Sequence, residues 1–320
     1  VSISPTDAEW NSGEKIPVTV VDSDANQNSK SSENLRVNVN STSLIPSLRI
    51  GTPFTLGANG TETANTIRAL TFTDASPTTW VAGNSGFYTQ TGMTVPSVTV
   101  KKYSDMAKLS GSITASTTGL VIAYEKTAAD LKKTVYDTRT GATNRLHGYN
   151  YFNYDIRSLS TNLSTTSGVN VYLAYTNGTG HNTHLIGNGT GSGAAPVEDS
   201  FRVVSIANST TNGAAGLVNL NGTSTNQNFL VQLYDGNIGA TDQVGAAFTF
   251  SAINPPGTQF NVVADFFSFG YLNDGITKSD RINNAIYRVE VEETGDNTGT
   301  FAGTLEYIML NQLNILDSST

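Results

Sequence analysis

Ile16-Pro17-Val18-Thr19-Val20-Val21 alternates apolar and polar side chains, with β-branched residues at the apolar positions. That alternation marks a strand with one face in a core and one in water. The same reading extends to Leu35-Arg36-Val37-Asn38-Val39, Ser97-Val98-Thr99-Val100, Val169-Asn170-Val171-Tyr172-Leu173, Phe229-Leu230-Val231-Gln232-Leu233 and Tyr287-Arg288-Val289-Glu290-Val291. Between them lie Asn59-Gly60, Asn177-Gly178, Asn188-Gly189, Asn212-Gly213, Asn221-Gly222 and Asp274-Gly275, dipeptides that supply the positive φ of tight hairpins. Together they predict an all-β chain of antiparallel β-sandwiches with little helix. Thr127-Ala128-Ala129-Asp130 has capping-box spacing and predicts a two-turn helix through Val135, and Ser104 to Leu109 predicts a single turn.

Composition narrows the chemistry. The chain has 320 residues and no cysteine, which excludes disulfides, thiolate metal sites and a cysteine nucleophile. It carries 32 Asn, 31 Ser and 44 Thr, while charged residues make up only 14%; ordinary soluble domains hold about 25%. Hydrophobic residues at 38%, with 13 Phe and 13 Tyr, are enough to build a core. A net charge of −8 argues against nucleic acid or an anionic membrane as partner and in favour of cations. No apolar run approaches the ~20 residues of a membrane span. The chain opens on Val1-Ser2-Ile3 without an initiator Met or leader, which reads as a processed product or excised piece. Charge is segregated: residues 101–157 hold nine Lys/Arg and five acids, a net of +4, so the remainder carries −12. Asn177 to Gly193 is a glycine-rich, low-complexity run that reads as an exposed loop.

The two ends of the chain carry a resemblance. Pro5-Thr6-Asp7-Ala8-Glu9-Trp10 followed by Gly13 to Asn26, and the tail Tyr287 to Phe301 with its Glu-Thr-Gly-x-Asn-x-Gly-x-Phe turn, resemble the immunoglobulin-like repeats of surface-layer (S-layer) proteins of ammonia-oxidising archaea. The resemblance covers roughly 80 residues and leaves the long middle unassigned. If both ends belong to one repeat, residues 1–43 plus 257–320 form one sandwich and 44–256 a second one inserted into it; the other layout is two domains in series. The resemblance implies a secreted, glycosylated, non-enzymatic structural subunit of the archaeal cell envelope. Its expected partners are copies of itself in a porous lattice, with calcium as a structural cofactor. An acidic lattice is also expected to concentrate cations such as ammonium at the cell.

The sharpest chemical motif is Asp22-Ser23-Asp24-Ala25-Asn26-Gln27-Asn28-Ser29-Lys30-Ser31-Ser32-Glu33. Oxygen ligands at Asp22, Asp24, Asn26 and Asn28, with Glu33 closing the loop, follow the spacing by which a twelve-residue loop wraps calcium. Gln27 and Lys30 depart from that pattern. The other reading is an Asx-rich hairpin that caps its own backbone. A second acidic turn, Glu292, Glu293 and Asp296, is a further candidate for calcium or a plain solvated loop.

Glycosylation sequons occur at Asn40, Asn59, Asn162, Asn177, Asn188, Asn208 and Asn221. With 75 Ser or Thr among 320 residues, 32 Asn would give about as many by chance, so position and not number is what favours sugar on them. Of His147, His181 and His184, the last two are spaced by three inside a glycine-rich loop and could chelate a metal only if that loop were pinned; no His-Glu-x-x-His or Gly-x-Ser-x-Gly occurs, and no catalytic residue is assigned. Tyr149-Asn150-Tyr151-Phe152-Asn153-Tyr154 reads either as alternating faces of a core strand or as a sugar-stacking platform. The alternative function is therefore an extracellular carbohydrate-binding or adhesin-like module. Lys101, Lys102, Lys132 and Lys133 are expected to meet an acidic face of a neighbouring subunit.

Overall fold

The computed structural model describes residues 1–11, 13–38, 45–56, 68–72, 93–94, 97–100, 106–111, 113–136, 148–159, 163, 168–177, 200–207, 213–221, 224–234, 238–251, 253–271 and 281–307. In chain order the strands and helices are β1 (Ser2–Ile3), β2 (Glu14–Val21), β3 (Asn34–Leu35), β4 (Ser47–Ile50), β5 (Arg68–Phe72), β6 (Met93–Thr94), β7 (Ser97–Val100), β8 (Met106–Ser110), β9 (Gly119–Thr127), α1 (Ala128–Val135), β10 (Tyr149–Asp155), β11 (Val169–Asn177), β12 (Ser200–Ala207), β13 (Ala215–Asn219), α2 (Ser224–Tyr234), β14 (Gln243–Phe250), β15 (Gln259–Tyr271), β16 (Arg281–Arg288), β17 (Val291–Glu293) and β18 (Thr300–Tyr307). They build three antiparallel sheets, and the fold is all-β, as the alternation predicts.

Two large sheets face each other. One runs β13-β10-β15-β16-β4, with β8 also paired to β15 and β7 to β8; the other runs β12-β11-β14-β9-β5-β6. Period two sends Phe152 and Tyr154 of β10 and Phe266 of β15 inward, where they meet Phe248 of β14 and Tyr124 of β9 at ring separations of 5.6 to 6.5 Å. All five rings are at most 1% exposed. α2 closes one end of this core: its Phe229 touches Tyr175 of β11 and Phe266, both at 6.4 Å. α1 starts at the predicted capping box, with Asp130 accepting from the Thr127 N–H and hydroxyl.

The ends of the chain share the third sheet, ordered β1-β2-β18-β17-β3. Its own small core is Val18, Val20, Leu35, Val289, Val291 and Phe301. A seam joins it to the outer face of the seven-stranded sheet. Val37 and Ile45 pack on Met106 and Val263, Arg157 bridges Asp155 at 2.5 Å and Glu290 at 3.6 Å, and Arg288 lies 3.6 Å from the buried Asp265.

Four sequence expectations change. Phe229 to Leu233 is helix, not strand: Phe229, Leu230 and Leu233 are buried at helical spacing, whereas Val231 is 48% exposed. Ser104 to Leu109 makes no helical turn in its described part, because Met106–Ser110 pairs with β15, Leu109 opposite Phe260. In its described part, Leu35 to Val39 stops pairing after Leu35, since the Val37 N–H leaves the ladder for the Glu290 carboxylate. Tyr287 to Val291 is two strands in two sheets, divided at Val289 and Glu290. β15 and β16 pair within the seven-stranded sheet, so of the chain after 257 it is β17 and β18 that join β1, β2 and β3. Gly303 of β18 permits the crossing, because a Cβ there would lie 2.6 Å from the Glu290 carbonyl oxygen. Among the described residues no helix is long and apolar enough to cross a membrane.

Candidate metal centre

The two acidic stretches that sequence treats as separate sites form one joint. The Asp22 N–H donates to the Gly299 carbonyl at 2.9 Å, and Asn26 Nδ2 donates to Asn297 Oδ1 at 2.9 Å. β2 and β18 are neighbours in register from Val21 opposite Thr300, which brings the loop after β2 against the turn before β18.

Much of the Asp22–Glu33 loop is committed to its own backbone. Asp22 caps a 3-10 turn at Ser23–Ala25 and accepts the Asp24 N–H at 3.0 Å. Asn28 Oδ1 accepts the Lys30 N–H at 3.1 Å, and Asn28 Nδ2 reaches Ser31 Oγ at 2.6 Å. Glu33 Oε1 accepts the N–H groups of Gln27, at 3.1 Å, and of Asn28. Asp24 and Asn28 are exposed. In this respect the loop behaves as the self-capping Asx hairpin.

Glu293, Glu33 and Asn26 are the acceptors to weigh for a cation. Glu293 is 4% exposed; its Oε1 accepts from the Thr298 N–H at 2.7 Å and the Gly299 N–H at 2.8 Å, and its Oε2 from the Glu33 N–H at 3.2 Å. Burial pushes this carboxyl up, but the donors, led by Gly299 with the Glu33 side chain next, outweigh it and hold its pKa at about 2. Glu293 is therefore ionised at ordinary pH, and its carboxylate lies within hydrogen-bond reach of the Glu33 side chain. Glu33 Oε2 and Asn26 Oδ1 are both shielded from solvent with no donor. Two carboxyl groups at that distance require a proton or a cation between them, and hard oxygen donors suit a hard divalent ion. Glu33 and Glu293 thus offer paired carboxyl oxygens that suit a calcium ion, and Asn26 Oδ1, in the same loop as Glu33, is a further oxygen without a donor. Among the described residues no group of three His, Asp or Glu side chains that could hold a metal occurs, so such side chains would offer an ion no more than these two carboxylates.

The remaining sequence candidates lie elsewhere. Glu292 points outward and pairs with Arg36 at 3.0 Å, and Asp296 is exposed. Asn40, Asn59, Asn162, Asn188 and Asn208, the His residues, Lys101, Lys102 and nearly all of the Asn177 to Gly193 run are outside the described residues. Asn177 ends β11. Asn221 is half-buried in a turn and accepts the Asn150 N–H at 2.8 Å. Lys132 donates to the Tyr234 carbonyl and sits over its ring at 5.1 Å, and Lys133 pairs with Asp130. The Tyr149 to Tyr154 segment divides by face: Phe152 and Tyr154 are core, whereas Tyr149 is 54% exposed on the other side.

Sequence reasoning missed the contribution of Asn297, Thr298 and Gly299. Their signal was the Gly-Asp-Asn-x-Gly turn itself, in which Asn297 and Gly299 both take positive φ and so turn successive N–H groups onto one carboxylate. No protein family matches the chain, and no curated protein does.

Proposed function

We propose that this chain is a structural segment of a self-assembling, calcium-stabilised cell-surface lattice of the S-layer type, extracellular and without catalytic activity. The observation that carries this reading is the joint: Glu33 and Glu293, 260 positions apart, meet with the Glu33 N–H and side chain both within hydrogen-bond reach of the Glu293 carboxylate, and Glu33 Oε2 is shielded without a donor. A cysteine-free chain outside the cell has no disulfide to hold its ends. A cation at this position ties the loop after β2 to the turn before β18. The neutral Asn/Ser/Thr-rich composition and the likeness of both ends to surface-layer repeats support the same reading.

Electron microscopy of the concentrated chain tests it. Ordered sheets or closed shells that form with calcium and disperse on chelation are expected. Monodisperse particles in both conditions would overturn the proposal.

A further inference from the structure

β2 and β18 form the longest ladder of the small sheet, eight rungs from Glu14 opposite Tyr307 to Val21 opposite Thr300. Antiparallel pairing sets the start of β2 beside the finish of β18, so the chain enters at Glu14 and leaves at Tyr307 at the same end of the ladder. The joint lies at the opposite end, where the Asp22 N–H meets the Gly299 carbonyl.

The two halves of this ladder are braced unequally. Near the joint, β1 flanks β2 at Val18 and Thr19, and β17 flanks β18 at Phe301 and Ala302, with β3 beyond it. Among the described residues, Glu14–Ile16 and Leu305–Tyr307 have no strand partner except each other. The sequence explains both stops. The Ser4 N–H reaches the Pro17 carbonyl at 3.4 Å, but proline has no N–H to return, and β1 pairs no further. β17 leaves β18 before Gly303, over which the Glu290 carbonyl crosses. The open half is thus a two-stranded ribbon, an element of marginal stability by itself. Besides its rungs it is held by Ile16, which is buried, and by Leu305, which packs on the small core.

We propose that the small sheet is a tension strap that opens in two stages, the Glu14–Pro17 and Thr304–Tyr307 ribbon first and the braced half with its joint second. The lattice reading above supplies the source of the tension; the order of opening rests on register alone. Load applied to both strands at one end of a ladder falls on one rung at a time, whereas load applied at opposite ends is shared by every rung. Tension between the segment before β2 and the segment after β18 is of the first kind, and it arrives at the unbraced end. Parting the ribbon lengthens the chain by about 25 Å. Both facing sheets lie between Val21 and Thr300 in the chain, so they bear load only once the joint parts. A cation that ties Glu33 to Glu293 therefore sits where it shields the large core from tension.

Pulling the whole chain in an optical trap tests the order. The chain has no cysteine, so a pair of introduced thiols sets the geometry of loading. Asn11→Cys/Glu306→Cys loads both strands at the open end, and Val21→Cys/Glu306→Cys loads them at opposite ends. Asn11 and Val21 are both exposed, so neither thiol enters the core. The first pair is expected to yield in two steps, an early one of about 25 Å and a later one whose force calcium raises and chelator lowers. The second pair is expected to yield in one step, at about twice the early force or more, because eight rungs share the load. Equal forces for the two pairs, or a single step for the first, would overturn the strap. Two steps of which calcium moves neither would uphold the strap and remove the cation from the joint, and with it the observation on which the lattice reading stands.

Discussion

Gly299 is where the joint is most sensitive to a single methyl group. Its φ is +59, and its N–H donates to Glu293 Oε1 at 2.8 Å. Alanine in the left-handed region costs about 1–2 kcal/mol. At Gly299 the added Cβ would also lie 3.3 Å from Ser23 Cα, a backbone atom that cannot swing aside, which adds about 1 kcal/mol or more by overpacking. Gly13 supplies the comparison, since its φ is +85 but nothing lies within 4 Å of an added Cβ. Gly13→Ala therefore carries the conformational cost alone, about 1–2 kcal/mol. Urea denaturation followed by circular dichroism is expected to rank Gly299→Ala below Gly13→Ala by about 1 kcal/mol or more. Equal losses would refute the close packing of the acidic turn on the Ser23 backbone, and no loss in either would refute the backbone conformation assigned to both.

Other expectations follow from the core and the seam. The Tyr154 hydroxyl donates to the Gly213 carbonyl at 2.7 Å, so Tyr154→Phe is expected to lose about 1–2 kcal/mol in denaturant melts by leaving a buried acceptor without its donor. Burial, with Asp155 close by, pushes the Tyr154 phenol up from 10.0 to about 12. Its stabilising contribution is then complete below pH 10 and lost as pH rises through about 12, which ultraviolet titration of the wild type against Tyr154→Phe reads directly. Arg157 bridges Asp155 and Glu290 across the seam with its side chain 36% exposed. Discounted for that exposure, Arg157→Met is expected to cost about 1–2 kcal/mol and to speed proteolysis of the small sheet; an unchanged cleavage pattern would contradict the seam.

Alternation made the sheets legible because burial of one face imposes period two wherever a strand lies half in water. It failed where another force governed. Phe229 to Leu233 is too short a run for periodicity to separate strand from helix, and only the outward Val231 against the inward Leu233 reveals the helical turn. Met106–Ser110 is held in strand by β15, a partner about 150 residues away that no local pattern announces. The metal motif was half readable. Spacing singled out the Asp22–Glu33 loop, but whether an Asp caps its own turn or faces an ion depends on hydrogen bonds that spacing does not encode. The pairing of Glu33 with Glu293 is a product of β2 lying beside β18. The Tyr149 to Tyr154 segment was legible as residues, though not as faces, until register placed Tyr149 against Phe269.

Thermal unfolding with calcium and then with excess chelator, for the wild type and Glu33→Gln, tests the joint most directly. The amide introduced by Glu33→Gln donates to Glu293 and removes the need for a cation between the two. At about 1,000 times its dissociation constant, a bound ion stabilises by about 4 kcal/mol. The wild-type midpoint is expected to fall on chelation, and calcium is expected no longer to move the variant midpoint. Superimposable curves for the wild type in calcium and in chelator would contradict it.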